Sequence, residues 1–253
     1  MDVKAAVQQQ FGQVAANYAT SAVHVGGPDL NAMLAARPLA GTCVLDAGCG
    51  TGHTALAFAP HVAEVVAVDL TEPMLAQGRR LAAERSIQNV EFRRGDVEQL
   101  DFVADTFDIV TSRYSAHHYP HPHQALAEIA RVLKPGGTFL LVDVVAPEEA
   151  LPDTFLNAIE LLRDPSHVRD HSISQWKQML SGAGFSVDVL GQWPLRLEFT
   201  SWVTRMRTST SAIDQIKALF DGAPREVREA LAVEPDYSFS VPTALICGQY
   251  SSV

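Results

Sequence analysis

Nine residues, Val44-Leu45-Asp46-Ala47-Gly48-Cys49-Gly50-Thr51-Gly52, constrain this chain more than any other stretch. They read as a buried strand that ends at an acidic residue, enters a glycine turn and opens a helix over residues 51–58. Alternating glycines let the backbone pass close to a ligand, because no Cβ stands in the way. The helix start adds unpaired N–H groups and the positive end of a dipole. Strand, glycine turn and helix together are how α/β proteins hold nucleotides and their relatives.

The spacing narrows the ligand. A dinucleotide fingerprint reads G-x-G-x-x-G, and a P-loop needs Gly-Lys followed by Ser or Thr. Here the pattern is G-x-G-x-G with Asp46 just upstream. A carboxylate at the mouth of the turn repels a pyrophosphate and suits a ligand that carries positive charge.

A regular alternation surrounds the turn. Helices are expected at residues 4–19 and 28–36, then strands at 42–47, 64–69, 90–94, 107–112 and 138–144. Helices at 51–58, 72–85 and 122–133 separate them, and Pro135-Gly136-Gly137 reads as a turn. Beyond residue 145 come an inserted helix at 147–164, a helix at 174–181 and a strand at 185–190. Helices within 196–234, broken near 221–224, precede a last strand at 241–250. Short continuous apolar strands are what a parallel sheet covered on both faces requires. Repeated β-α units imply right-handed crossovers and a doubly wound α/β sheet.

With 253 residues, 47% of them hydrophobic, the chain suits one domain with elaborations. Its expected parts are N-terminal lid helices in 1–40, a ligand-binding core in 41–146, and cap insertions at about 147–171 and 196–238. The net charge is -10 and no dense basic run occurs, so nucleic acid and anionic membrane are poor partners. Cys43, Cys49 and Cys247 have neither zinc nor disulfide spacing, which points to a reducing, cytoplasmic setting. No signal peptide or membrane-spanning run is visible.

Asp69 closes the second strand, 23 positions after Asp46, where a carboxylate accepts hydrogen bonds from ribose hydroxyls. Leu70 and Met74 then line one side of a purine. Gly95-Asp96-Val97 follows the third strand, and Arg131-Val132-Leu133-Lys134-Pro135-Gly136-Gly137 leads into the fifth. Together with the opening turn, these blocks resemble class I S-adenosylmethionine-dependent methyltransferases. The likeness covers roughly residues 8–145, and 172–192 less closely. Within the class it looks most like the small-molecule branch that includes ubiquinone and menaquinone biosynthesis methyltransferases.

The resemblance implies a Rossmann-like sheet of seven mostly parallel strands with an antiparallel last strand. It implies S-adenosyl-L-methionine as cofactor. The residues it points to are Asp46, Gly48, Cys49, Gly50, Gly52, Asp69, Leu70, Met74, Gly95, Asp96, Val97, Ser112 and Arg113. In such proteins the Asp96 carboxylate takes the adenine amino group, and the next backbone N–H reaches a ring nitrogen. Arg113, directly after strand four, is placed to reach the cofactor carboxylate.

Methyl transfer is an in-line displacement, and orientation alone supplies roughly 7–11 kcal/mol of such a barrier. His117 and His118, just past the fourth strand, are the expected catalytic groups, since histidine is a general base near neutral pH. Tyr18, in Phe11-Gly12-x-x-Ala15-x-x-Tyr18, matches a helix that folds over the cofactor in relatives and joins them. His117, His118, His121 and His123 lack metal-ligand spacing, and Pro120 and Pro122 prevent a regular helix there, so no metal is expected. The cluster His167-Val168-Arg169-Asp170-His171-Ser172 either lines an acceptor pocket or caps the next helix through Ser172 or Ser174. Trp176, Trp193 and Trp202 read as core. The expected partner is a small-molecule acceptor, with the protein a monomer or homodimer. Two alternatives stand beside transfer: a protein of this fold that binds the cofactor without using it, and a nicotinamide-dependent oxidoreductase.

Overall fold

The structure, a computed structural model, describes residues 2–19 and 25–251. Residues 1 and 20–24 of the expected lid segment lie outside the described residues. Two helices come first, α1 (Val3–Ala19) and α2 (Pro28–Ala35). The core then alternates: β1 (Cys43–Ala47), α3 (His53–Phe58), β2 (Glu64–Asp69), α4 (Glu72–Glu84), β3 (Val90–Arg94), β4 (Phe107–Arg113), α5 (Pro122–Val132) and β5 (Leu133–Val144). After it come α6 (Ala150–Arg163), α7 (Ile173–Gly182) and β6 (Phe185–Leu197). Three short helices, α8 (Phe199–Arg205), α9 (Thr210–Asp221) and α10 (Arg225–Ala230), lead to β7 (Phe239–Tyr250).

The strands form one seven-stranded sheet in the order β3-β2-β1-β4-β5-β7-β6. Strands β1 to β5 pair in parallel, and β7 runs antiparallel to both β5 and β6. Neighbouring residues of one strand point to opposite faces. Leu45, Val66, Val110 and Leu141 therefore join Leu126, Ile129 and Trp176 in one core layer. Val44, Val65, Ile109 and Leu140 join Met33, Phe58 and Leu75 in the other. Burial on both faces is why the strands read as unbroken apolar runs. The order reverses between β1 and β4, and ligands of such sheets bind at the strand carboxyl ends beside that reversal.

Several boundaries differ from the sequence expectation. Helix α3 begins at His53 because Gly52, at φ 77°, is left-handed. A Cβ there would also lie 2.5 Å from the Phe92 ring. Strand β5 takes in Pro135-Gly136-Gly137: the ladder skips from Phe107↔Leu133 to Ile109↔Thr138, so these residues bulge from a continuing strand. Strand β6 runs on through Gly191 and Pro194, which a sequence reading takes as breakers. Gly191 sits at a register shift, and Pro194 is tolerated because β6 is the sheet's edge strand. The hairpin of β6 and β7 is thus interrupted by 198–238, and α8–α10 pack with α6 around Ile159, Trp202 and Phe220 as a small separate core. This cap sits beyond the carboxyl end of β5.

Helix α6 starts at Ala150 rather than residue 147. Glu148 is committed elsewhere, its carboxylate accepting bonds from the Ser172 hydroxyl and from the Ser174 hydroxyl and N–H. Ser172 caps α7, accepting from the Gln175 N–H while the Gln175 side chain accepts from the Ser172 N–H. Ser172→Ala is expected to cost about 1 kcal/mol, read as a shift of the urea midpoint. No helix among the described residues is long and apolar enough to cross a membrane.

Candidate active site

A cleft of about 890 Å³ opens at the carboxyl ends of β1, β2, β3 and β4, under α1. Its floor is the glycine turn. Gly48 has φ 72°, and a Cβ on it would sit 2.3 Å from Ser115 Oγ, so only glycine fits between turn and loop. The Gly50 N–H donates to Asp69 Oδ2 (2.8 Å) and the Thr71 N–H to Asp69 Oδ1 (2.8 Å). The turn is thereby tied to the end of β2. Burial pushes the Asp69 carboxyl above its ordinary value, against the pull of those two N–H groups. Leu70, Met74 and Val97 supply apolar wall, and Asp96 and Glu98 close the far end.

Of the residues expected to hold the cofactor, Gly48, Cys49, Gly50, Asp69, Leu70, Met74, Asp96, Val97 and Arg113 line this cleft. Asp46, Gly52, Gly95 and Ser112 do not. Asp46 lies beneath the turn, 1% exposed, accepting from the Ala55 N–H (3.1 Å) and the Thr111 hydroxyl (2.8 Å). Burial raises its carboxyl to about 6, against the Thr111 bond. It organises the turn and the start of α3 rather than facing a ligand. Gly52 and Gly95 give clearance to Phe92 and Val68. Ser112 shares hydrogen bonds with the Ser115 and Tyr119 hydroxyls behind the wall. Arg113 forms a buried ion pair with Asp29 of α2 (2.6 Å).

Helix α1 roofs the cleft. Lys4 reaches both Asp96 and Glu98 at 2.6 Å, and Gln8 donates to the Leu70 carbonyl. Phe11 meets the His118 ring edge-on, and the Tyr18 hydroxyl donates to Met206 Sδ (3.1 Å). The helix so bridges the sheet and the cap.

A second cavity of about 510 Å³ lies between β5, α6, α8 and the end of β6. Tyr18 and Tyr114 line both spaces. Tyr114, at φ 52°, holds a left-handed conformation just past β4, a strained geometry found where the surrounding fold imposes it. His117, His167 and Asp170 line the second cavity with Glu160, Arg163 and Arg205, above an apolar wall of Val144, Leu195, Leu197 and Trp202.

The paired histidines part company here. His117 faces the second cavity, and its Nδ1 bonds Asp143 Oδ1 (2.7 Å). Burial works to lower its pKa, but the Asp143 charge and hydrogen bond outweigh it and hold His117 up at about 9. At neutral pH it is an imidazolium. His118 faces the cleft, and burial with the neighbouring His117 charge lowers it to about 4. Its Nδ1 lies 3.0 Å from the Ser166 carbonyl, which only accepts, so Nδ1 carries the proton and Nε2 keeps a free lone pair. His167, lowered to about 2 by burial and the neighbouring His117 charge, is also neutral.

His121 is 69% exposed and pairs with Glu98, and His123 is exposed, so the four-histidine run does not converge. His117, Asp143 and Asp170 do bring one donor atom each within 4.8 Å, but both Asp143 oxygens already accept hydrogen bonds. In the 167–172 cluster, His167 and Asp170 line the second cavity, and Ser172 caps α7 as expected. Trp202, taken as core, packs in the cap core and also forms cavity wall. Asp143 was visible as a lone carboxylate in an apolar strand, whereas Lys4, Glu160, Arg163 and Arg205 carried no recognisable sequence signal.

Residues 44–137 match a protein family described as a methyltransferase domain. The chain is 41% identical over 224 residues to the uncharacterized methyltransferase YcgJ of Bacillus subtilis, covering 88% of each. It superposes on the crystal structure of YcgJ with a TM-score of 0.86, covering 89% of this chain and 99% of that one at 39% identity. A demethylmenaquinone methyltransferase of Clavibacter sepedonicus is 31% identical over 206 residues, 78% of this chain and 80% of that protein.

Proposed function

The chain belongs to the class I S-adenosylmethionine-dependent methyltransferases, and on that premise we propose that it methylates a small or medium-sized organic acceptor held in the second cavity. The observation that carries the reading is the shared wall: Tyr18 and Tyr114 border both spaces, so an acceptor's space adjoins the donor's cleft.

The cleft fits the cofactor. The backbone cradle at Gly48 tolerates no Cβ, Asp69 offers a carboxylate to ribose hydroxyls, and Leu70, Met74 and Val97 suit the faces of a purine. In this reading Asp96, which Lys4 now engages, takes the exocyclic amino group, and Arg113, steadied by Asp29, meets the amino-acid end. Of the cleft's carboxylates, Asp96 and Glu98 share Lys4, and Asp69 has no cation on it among the described residues, which suits a cationic ligand. When bound, S-adenosylmethionine supplies an electrophilic methyl carbon; the acceptor's lone pair bonds to it as the carbon–sulfur bond breaks, and that electron pair passes to sulfur.

The chain's own residues do the rest. Tyr18 and Tyr114 hold the line of approach, and α1 excludes water, which is where orientation lowers the barrier. His118 Nε2 is the proton acceptor for a nucleophile that must lose one. His117, fixed by Asp143, is an imidazolium that positions the acceptor through a charged hydrogen bond.

Calorimetry with S-adenosylhomocysteine followed by labelled methyl transfer to a panel of organic acceptors tests the reading. Changing both His117 and His118 to Ala is expected to lower turnover about a hundredfold or more, with S-adenosylhomocysteine affinity changed far less. Equal losses in both would recast the pair as cofactor contacts. Retained cofactor binding with no methylated product from any acceptor would favour a binder that does not transfer.

A further inference from the structure

The second cavity carries a feature that methyl transfer alone does not require. Two guanidinium groups, Arg163 from the end of α6 and Arg205 from the end of α8, line the same small space. Arg163 is 10% exposed and already committed: it pairs with Glu160 at 3.1 Å, donates to the Trp202 carbonyl and stacks over the Trp202 ring. Arg205 is different. Its guanidinium meets the Tyr18 hydroxyl and feels the Glu160 charge, but its buried Nε has no hydrogen-bond partner. Burial and then the neighbouring Arg163 charge both disfavour its charged form. Two guanidinium groups share this space, and the buried Nε donor of one is unmet, which is costly unless a ligand brings an acceptor.

The remaining groups do not bring it. His117 and Asp143 neutralise each other, and burial keeps the Asp170 carboxyl toward its neutral form. Asp164 turns one oxygen to the N–H and hydroxyl of Ser166 and the other toward His118. Glu160 pairs directly with Arg163 and acts on Arg205 through its charge alone. What is missing is one planar group with two acceptor oxygens, since a guanidinium fork matches a carboxylate. The opposite wall, Val144, Leu195, Leu197 and Trp202, is apolar.

Resting on the methyltransferase reading above, we propose that the acceptor is an organic monocarboxylate, with its carboxylate between Arg163 and Arg205 and its apolar body against Leu195, Leu197 and Trp202. The carboxylate positions the acceptor and is not itself the reacting atom in this arrangement. Arg205 is then a specificity-determining residue: a neutral analogue of the same shape leaves its Nε unpaired.

The test uses the full-length protein saturated with S-adenosylhomocysteine. Matched probes are titrated by calorimetry: 4-hydroxybenzoate against 4-hydroxybenzamide, and octanoate against octanamide. At least one acid is expected to bind roughly tenfold or more tighter than its amide. Arg205→Gln should abolish that preference and Arg205→Lys should restore part of it, with S-adenosylhomocysteine affinity and melting temperature held as controls on folding. If Arg205→Gln does not fold, Arg205→Lys carries the comparison, with a preference reduced but present. Equal binding of acid and amide, a preference that survives Arg205→Gln, or no acid binding at millimolar concentration would each overturn the proposal. Loss of S-adenosylhomocysteine binding by the parent protein would instead overturn the functional reading beneath it.

Discussion

Asp69→Ala is expected to bind S-adenosylhomocysteine about ten- to a hundredfold more weakly than the parent protein, measured by calorimetry. The magnitude is that of a charged hydrogen bond, about 1.5–3 kcal/mol. Asp69 has two reasons to matter, and they separate. Its oxygens hold the Gly50 and Thr71 N–H groups, so alanine also loosens the glycine turn. Asp69→Asn keeps one acceptor oxygen for the backbone while removing the charge that a ribose hydroxyl pair would use. If asparagine restores full affinity, the residue acts through the turn. If asparagine remains close to alanine, the carboxylate acts on the ligand. Unchanged affinity in both variants would take Asp69 out of the site.

The distinction arises because sequence spacing located the ligand's cleft but not the division of labour within it. Asp46 and Asp69 look alike in the sequence, each an acidic residue at the end of an apolar strand. The structure parts them: Asp46 lies under the turn on Thr111 and Ala55, and Asp69 stands at the cleft wall. Nothing local in either strand records which oxygen faces a cavity. The alternating core was legible because burial on both sheet faces writes itself as apolar runs. The ends of β6 were not, because Gly191 and Pro194 break isolated strands but are allowed at a bulge and on an edge. The cap was least legible. Arg163 and Arg205 are ordinary basic residues at helix ends in the sequence, where they read as favourable to the helix dipole. Only the packing of α6 against α8 brings them into one cavity. His117 and His118 show the same limit from the other side. They are legible as a pair and their ring centroids stay 4.3 Å apart, yet their opposite protonation follows from Asp143 and Ser166, which are distant in sequence.

Asp143→Asn tests that protonation directly, with two readouts. Asp143 orients the His117 ring through Nδ1 and holds the imidazolium, and removing an orienting carboxylate from a histidine leaves the ring free to adopt the wrong tautomer. Turnover is expected to fall at least about a hundredfold at neutral pH, with S-adenosylhomocysteine affinity nearly unchanged, because His117 does not line the cofactor cleft. Stability gives the second readout. His117 titrates near 9 in the folded protein against an ordinary value of 6.5. A raised folded value means that its contribution is complete below about pH 6.5 and is lost as pH rises through about 9. The shift corresponds to about 3 kcal/mol. Urea unfolding of the parent protein should therefore lose stability between about pH 7 and 10, while Asp143→Asn starts lower at pH 6.5 and stays flatter across that window. A parent and variant that run parallel from pH 6.5 to 10 would mean that His117 is neutral in the folded protein. In that case it could not hold an acceptor by its charge, and the second cavity would have Arg163 and Arg205 as its only cations among the described residues.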